Sequence, residues 1–181
     1  MGYFPNTPEI WEIDTKVNTF RFIEALDTIL GVGDVLVFAA YEPTPEMSQH
    51  LVATGAIRRG NVSGLYDSFD LNREEHPDGC AFELPLASDT LTSLLRAEPG
   101  VLRQRDKDPF FDHVVAYRPT TPKTPLIHFH AAFNGGTLVL SGIFDEHTAR
   151  LFSSKIEGTI TGTKNPHYYE DSEEGQSGPG E

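Results

Sequence analysis

The sequence predicts one folded domain of the α/β or α+β class. We expect a mixed sheet of five to six strands, helices packed on it, and a C-terminal antiparallel hairpin followed by a helix. Three observations lead to this prediction: segments of helical and strand spacing follow one another, DVLVFAAY (34–41) is apolar almost throughout, and Asn134-Gly135 separates two apolar runs. With 181 residues, the chain is long enough to bury a core.

Alternation, helical periodicity and capping residues define the elements of the first half. They are, in order, a strand at 10–17, a helix at 18–30 capped by Asn18, a strand at 34–41, and a helix that follows the Thr44 cap with Pro45 at its first position and Gly55 as its stop. Residues 58–79 are polar and glycine-punctuated, which predicts a long loop with a short strand near Leu65–Leu71.

The second half predicts more strands than helices. Its elements are a strand at 80–87, a short helix capped by Ser88 or Asp89, strands at 111–117, 126–133 and 137–144, and a last helix between Asp145 and Gly158. Aromatic residues at the element ends, among them Trp11, Phe110 and Phe111, fit the edges of a small core better than a partner-binding patch.

The domain prediction divides the chain into three parts. Residues 1–9 read as an irregular lead-in, residues 10–163 as a single domain, and residues 164–181 as an acidic tail that we expect to be disordered. The tail combines aromatic and acidic side chains, a composition typical of segments that dock on basic surfaces, and we assign partner binding to Tyr168, Tyr169, Glu170 and Asp171.

The charge balance excludes one class of partner and favours another. The net charge is −13, from 27 acidic and 14 basic residues. Nucleic-acid affinity rests on Lys and Arg neutralising phosphates, so we expect no nucleic acid as partner. The acidic excess favours a basic protein or a divalent cation, and it is compatible with a homo-oligomer.

The cellular location is predicted from the apolar runs, the N-terminus and the single cysteine of the sequence. No apolar run approaches the ~20 residues that cross a bilayer, and the N-terminus carries no basic stretch followed by an apolar one. The chain has one cysteine, Cys80, which excludes an internal disulfide and fits a reducing compartment. We therefore expect a cytoplasmic protein without a membrane anchor.

Two histidines one residue apart in the strand LIHFHAAF are the clearest candidates for chemistry. His128 and His130 share one face of this strand, and if Tyr117 pairs with Leu126, His113 on the preceding strand lies opposite His130. Three imidazoles on one face could bind Zn²⁺ with a position open for water, so these residues are the predicted metal ligands. A solvated strand face, a pH switch or a hydrogen-bonded cluster are the alternatives.

Catalytic and cofactor motifs give no further assignment. The sequence has no Gly-x-Ser-x-Gly, and Gly31-Val-Gly33 lacks the third glycine of a dinucleotide fingerprint. No cofactor is expected apart from a divalent metal. The preferred function is a non-catalytic, acidic protein-binding module or complex subunit, and the alternative is a zinc-type hydrolase built on the histidines. The sequence does not decide whether the chain is an enzyme.

Overall fold

The computed structural model describes residues 8–59, 79–98, 100–102, 110–121, 125–132 and 135–165, which form one eight-stranded sheet and four α-helices. The strands are β1 (Glu9–Thr15), β2 (Val35–Ala40), β3 (Ile57–Arg59), β4 (Cys80–Pro85), β5 (His113–Tyr117), β6 (Pro125–Ala132), β7 (Gly135–Ser141) and β8 (Thr159–Lys164). The helices are α1 (Thr19–Ala25), α2 (Pro45–Ala53), α3 (Thr90–Leu95) and α4 (Glu146–Lys155), and a 3-10 turn, Leu26–Thr28, follows α1.

The sheet is antiparallel throughout, in the order β3-β4-β2-β5-β6-β7-β1-β8. The α+β class is confirmed, whereas the prediction of a mixed sheet with five to six strands is wrong. The two additional strands, β3 and β8, are the edges of the sheet. Strand β3 has only three residues, and β8 has a mostly polar sequence, TITGTK. Neither feature produces the alternating apolar signal on which strand prediction rests.

All four helices pack on one face of the sheet. The side chains that they bury join a single core cluster with alternate strand residues, such as Leu36 and Phe38 on β2. The other residues of β2, Val35, Val37 and Ala39, face the opposite side and are also buried. Burial of β2 on both faces explains its continuous apolar sequence, which is more typical of a strand in a parallel sheet.

Aromatic rings fill the centre of the helix-covered core. Phe22 of α1 lies with its ring centroid 5.0 Å from that of Phe111 and 5.2 Å from that of Phe129. Phe110 packs on Phe38 at 5.0 Å. Phe110 and Phe111 are 0% and 1% exposed, so the expectation that they belong to the core is confirmed.

The predicted capping residues act at three helix starts. Asn18, Thr44 and Asp145 each accept a backbone N–H from the third residue after the cap. Gly55 ends α2 with φ of +104°, a conformation that glycine adopts without strain. The first helix is shorter than the predicted range 18–30, because the chain tightens into the 3-10 turn after Ala25.

Some predicted features fall outside the described residues, namely the short strand near Leu65–Leu71 and nearly all of the lead-in and of the tail. Lys164, at which the predicted tail begins, is the last residue of β8. None of the helices in the described ranges is long and apolar enough to cross a membrane.

Candidate functional sites

The three histidines meet on the sheet face opposite the helices. His113 pairs with His130 between β5 and β6, as predicted, and His128 lies opposite Val115 on the same face. The neighbour pair assumed for this prediction is wrong, because the register shifts after Ala116 and Tyr117 pairs with Pro125 instead of Leu126. The rings of His113 and His130 are stacked with centroids 4.3 Å apart and planes 12° apart. The ring of His128 is nearly parallel to that of His113, and their centroids are 5.9 Å apart. The cluster is therefore a stack of imidazoles.

Burial increases through the stack. His130 is exposed, His113 is 8% exposed and His128 is 2% exposed. Burial and, to a smaller extent, the neighbouring His130 lower the pKa of His113 from 6.5 to about 4. Burial also lowers the pKa of His128, to about 3, with contributions from His113 and His130. Both buried rings are thus neutral near pH 7.

Tyr41 borders the histidine stack. Its hydroxyl lies 3.0 Å from Nε2 of His113, a hydrogen bond whose direction depends on the tautomer of the imidazole. The backbone N–H of Tyr41 donates to the carboxylate of Asp112 at 2.7 Å, and the backbone N–H of Asp112 donates to Ala39 at 2.8 Å. These bonds hold Tyr41 against the sheet beside His113.

The geometry bears on what the stack can bind. A metal ion binds an imidazole along a nitrogen lone pair, which lies in the plane of the ring, and three ligands must converge on one point. Rings that lie face to face direct their lone pairs along parallel planes. Within the described ranges, no group of three or more His, Cys, Asp or Glu side chains is placed to hold a metal ion. The assignment of His113, His128 and His130 as metal ligands stays a prediction.

A second candidate site lies at the other end of the sheet, between α4 and the edge strand β8. It is a cleft of about 650 Å³. Its lining includes the apolar residues Ile10, Trp11 and Ile160 and the charged residues Glu9, Glu146, Arg150 and Lys164. Sequence patterns do not predict this site, because it brings residues 8–11 together with residues 146–165 and depends on β8, a strand without an apolar alternation.

Two close contacts position the walls of the cleft. The indole N–H of Trp11 donates to the carbonyl of Phe144 at 2.9 Å, which ties β1 to the segment before α4. Gly142 lies against the backbone of Glu9, since a Cβ at Gly142 would lie 2.2 Å from the Glu9 carbonyl oxygen. The start of β1 and the turn after β7 are therefore in direct backbone contact.

At Gly162 the edge strand β8 has no side chain on the sheet face that carries the histidines. It lies opposite Glu12 of β1. A Cβ at Gly162 would lie 3.0 Å from Oε2 of Glu12, so the Glu12 side chain extends over the glycine. A carboxylate from the second strand of the sheet thus reaches the edge strand.

Some charged side chains of the described residues form ion pairs, and others have no oppositely charged group close by. Five ion pairs are present among these residues, and Asp34 is the one buried group in them: Arg21–Glu157, Arg59–Glu83, Arg118–Asp34, Arg150–Glu146 and Lys155–Asp27. Among the same residues, Glu9, Glu12 and Asp14 have no cation within 4.0 Å. Strand β1 therefore carries three carboxylates without an ion pair among the described residues, and Glu9 has Lys164 as its cross-strand neighbour on β8.

The predicted partner-binding residues Tyr168, Tyr169, Glu170 and Asp171 lie outside the described residues, so that assignment also stays a prediction. No protein-family model, curated protein or solved structure matches this chain. Function is therefore argued from the sites alone.

Proposed function

We propose that this chain is a non-catalytic protein-binding module whose acidic surface binds a basic partner. The observation that carries the proposal is the set of three carboxylates on β1, Glu9, Glu12 and Asp14, without a cation within ion-pair distance among the described residues. Unneutralised charges of one sign raise the local concentration of an oppositely charged partner and speed its association.

The overall charge supports the same proposal. The described residues contain 15 of the 27 acidic residues and 9 of the 14 basic ones, so the acidic excess is present among the described residues as well as in the whole sequence. Five of the nine described cations are already engaged in ion pairs. A basic segment thus meets more uncompensated carboxylates than competing cations.

The proposal is tested by selection from a display library of random 12-residue peptides, with the full chain as bait. We expect enrichment of Lys and Arg, and binding that weakens as salt is raised. The triple variant Glu9→Gln/Glu12→Gln/Asp14→Asn should bind the selected peptides more weakly than the wild type. Its control, Glu24→Gln/Glu46→Gln/Glu98→Gln, removes the same number of charges from exposed sites elsewhere. No enrichment of basic peptides, or equal losses in the two variants, would contradict the proposal.

A zinc-dependent hydrolase built on His113, His128 and His130 is the second candidate. The observed register between β5 and β6 favours it, because it brings the three side chains onto one face. The parallel stacking of the rings weighs against it. Metal content, measured by mass spectrometry on protein purified without chelator, tests this candidate beside the variant His128→Ala/His130→Ala. If the wild type holds about one equivalent of zinc and the variant holds none, the result favours the hydrolase.

A further inference from the structure

The edge strand β8 and the adjoining cleft offer a site that is more specific than an acidic surface. Among the described residues, β8 pairs with β1 alone, and each of its six residues is exposed or half-exposed. An edge strand presents backbone N–H and C=O groups that another strand can pair with. Six residues at about 3.3 Å each make an edge roughly 20 Å long, which is enough to pair with a short extended peptide. The β1–β8 register shifts on both sides of the Glu12–Gly162 pair, so an added strand would follow an irregular edge at this position.

The cleft lies where alternate side chains of such an added strand would point. When a peptide extends a sheet, its backbone hydrogen bonds supply affinity and pockets for alternate side chains supply specificity. The cleft borders β8 on the side of α4, and it combines the apolar surface of Trp11 and Ile160 with charged groups. One set of alternate side chains of the peptide would therefore contact apolar surface.

The other set of side chains would lie on the opposite face of the sheet, where Glu12 extends over Gly162. Because Gly162 has no side chain, it leaves the Glu12 carboxylate accessible across the edge strand. A residue that pairs with Gly162 from the outer side would place its side chain on this face, at cross-strand distance from the edge. A Lys or Arg at that position would complement the carboxylate.

From this juxtaposition we infer that the chain binds an extended basic segment of a partner protein, which adds to the sheet as a strand alongside β8, with apolar side chains in the cleft and a cationic side chain on Glu12. The inference rests on the proposed function and gives it a site and a binding mode. A second copy of the chain fits the same edge less well, because it would bring another net charge of −13.

The opposite edge of the sheet does not offer the same chemistry. Strand β3 has three residues, and two of them are Arg58 and Arg59. Charged side chains on a short edge strand are a common protection against strand addition. A basic segment would meet two arginines there, whereas β8 carries one cation, Lys164, and has the carboxylates of Glu9 and Glu12 beside it on β1.

The inference is tested by fluorescence anisotropy with the full chain and a labelled ten-residue peptide that alternates lysine with valine. A matched peptide that alternates glutamate with valine should bind much more weakly. Two further peptides carry N-methyl groups, one on the lysines and the other on the valines, so that each keeps its charge but has one edge that cannot donate hydrogen bonds. Because an added strand donates to β8 through one alternate set of N–H groups, we expect one of these two peptides to bind about tenfold more weakly or worse and the other to keep its binding.

Variants of the chain locate the site. Glu12→Gln should weaken binding of the lysine–valine peptide by about fivefold, the upper range for one partly exposed charge pair. Gly162→Ala should weaken it as well, because the new methyl group displaces the Glu12 carboxylate. The control is Gly31→Ala, where the nearest described atom to a Cβ would be Asp34 Oδ2 at 4.0 Å, and it should bind as the wild type does.

The outcomes distinguish failure of the site from failure of the function. The lysine–valine peptide could bind while the N-methylated peptides bind equally well, or while both site variants bind it like the wild type. Either result would leave the proposed function in place and show that strand addition at β8 is wrong. If the wild type binds no basic peptide, the proposed function itself fails, and the inference fails with it. If the free chain instead dimerises and Gly162→Ala abolishes the dimer, the edge binds a second copy of the chain and the inference is wrong.

Discussion

The imidazoles of His113 and His130 lie face to face, with ring centroids 4.3 Å apart, on the side of the sheet that no described helix covers. His113 also lies parallel to His128, which is 2% exposed. A charge on either buried ring would be poorly solvated and would repel a charge on its neighbours. The stack is therefore stable in its neutral form.

We predict that the chain loses stability as the solution becomes mildly acidic. The pKa values of His113 and His128 in the folded chain, about 4 and about 3, lie below the ordinary value of 6.5. The unfolded chain thus binds more protons than the folded chain below pH 6.5, so the stabilisation present above this pH is lost as pH falls toward the folded values. Two such groups should lower the free energy of unfolding by about 2 to 3 kcal/mol between about pH 7.5 and about pH 5.5.

Urea denaturation at the two pH values measures this loss. His128→Leu should remove about half of the pH dependence, whereas His147→Gln, at an exposed site on α4, should leave it unchanged. Titration of the imidazole carbon-bound protons by NMR gives a second readout that needs no variant. Two imidazoles that stay neutral well below pH 6.5 are expected, and ordinary titration of every imidazole would contradict the account.

Gly142→Ala should destabilise the fold although the substitution adds only one methyl group. The new Cβ would lie 2.2 Å from the carbonyl oxygen of Glu9, so the backbone at the start of β1 or in the turn after β7 must move. Overpacking of this kind costs about 1 to 3 kcal/mol. Thermal or chemical denaturation checks the prediction against Gly31→Ala, where a methyl group meets no close atom, and equal stability of the two variants would argue against the Glu9–Gly142 contact.

Phe22→Ala should remove the aromatic contacts that join α1 to the sheet. Phe22 is 0% exposed, and its ring packs on those of Phe111 and Phe129. Replacement of a buried Phe by Ala costs about 3 to 5 kcal/mol, which approaches the total stability of many domains. Phe22→Leu should lose less and stay folded. Urea denaturation that finds Phe22→Ala as stable as the wild type would contradict the core assignment.

Local signals in the sequence predicted helices, caps and the histidine register well. Asn18, Thr44 and Asp145 cap helices because a short polar side chain directly reaches the nearby N–H groups. The pairing of His113 with His130 followed from strand alternation and one assumed neighbour pair. Each of these predictions depends on residues that are close in sequence or on consecutive strands.

Strand order and the cleft could not be predicted because they depend on contacts between distant parts of the chain. Strand β1 lies between β7 and β8 in the sheet, although both of these strands are far from β1 in sequence. Strand β8 has little apolar character of its own. The continuous apolar run of β2 suggested a mixed sheet, yet the strand is antiparallel to both neighbours and buried on both faces. Periodicity reports burial, and it does not report strand direction.

Backbone hydrogen exchange of the full chain, followed by mass spectrometry with and without the lysine–valine peptide, reports directly whether the peptide adds to β8. An added strand would pair with the side of the β8 backbone that no described strand occupies, so we expect slower exchange of the amides in Thr159–Lys164 when the peptide is bound. Exchange in β3 (Ile57–Arg59), the other edge, should stay unchanged. Binding of the peptide without slower exchange in β8, or with protection at β3 instead, would contradict the account.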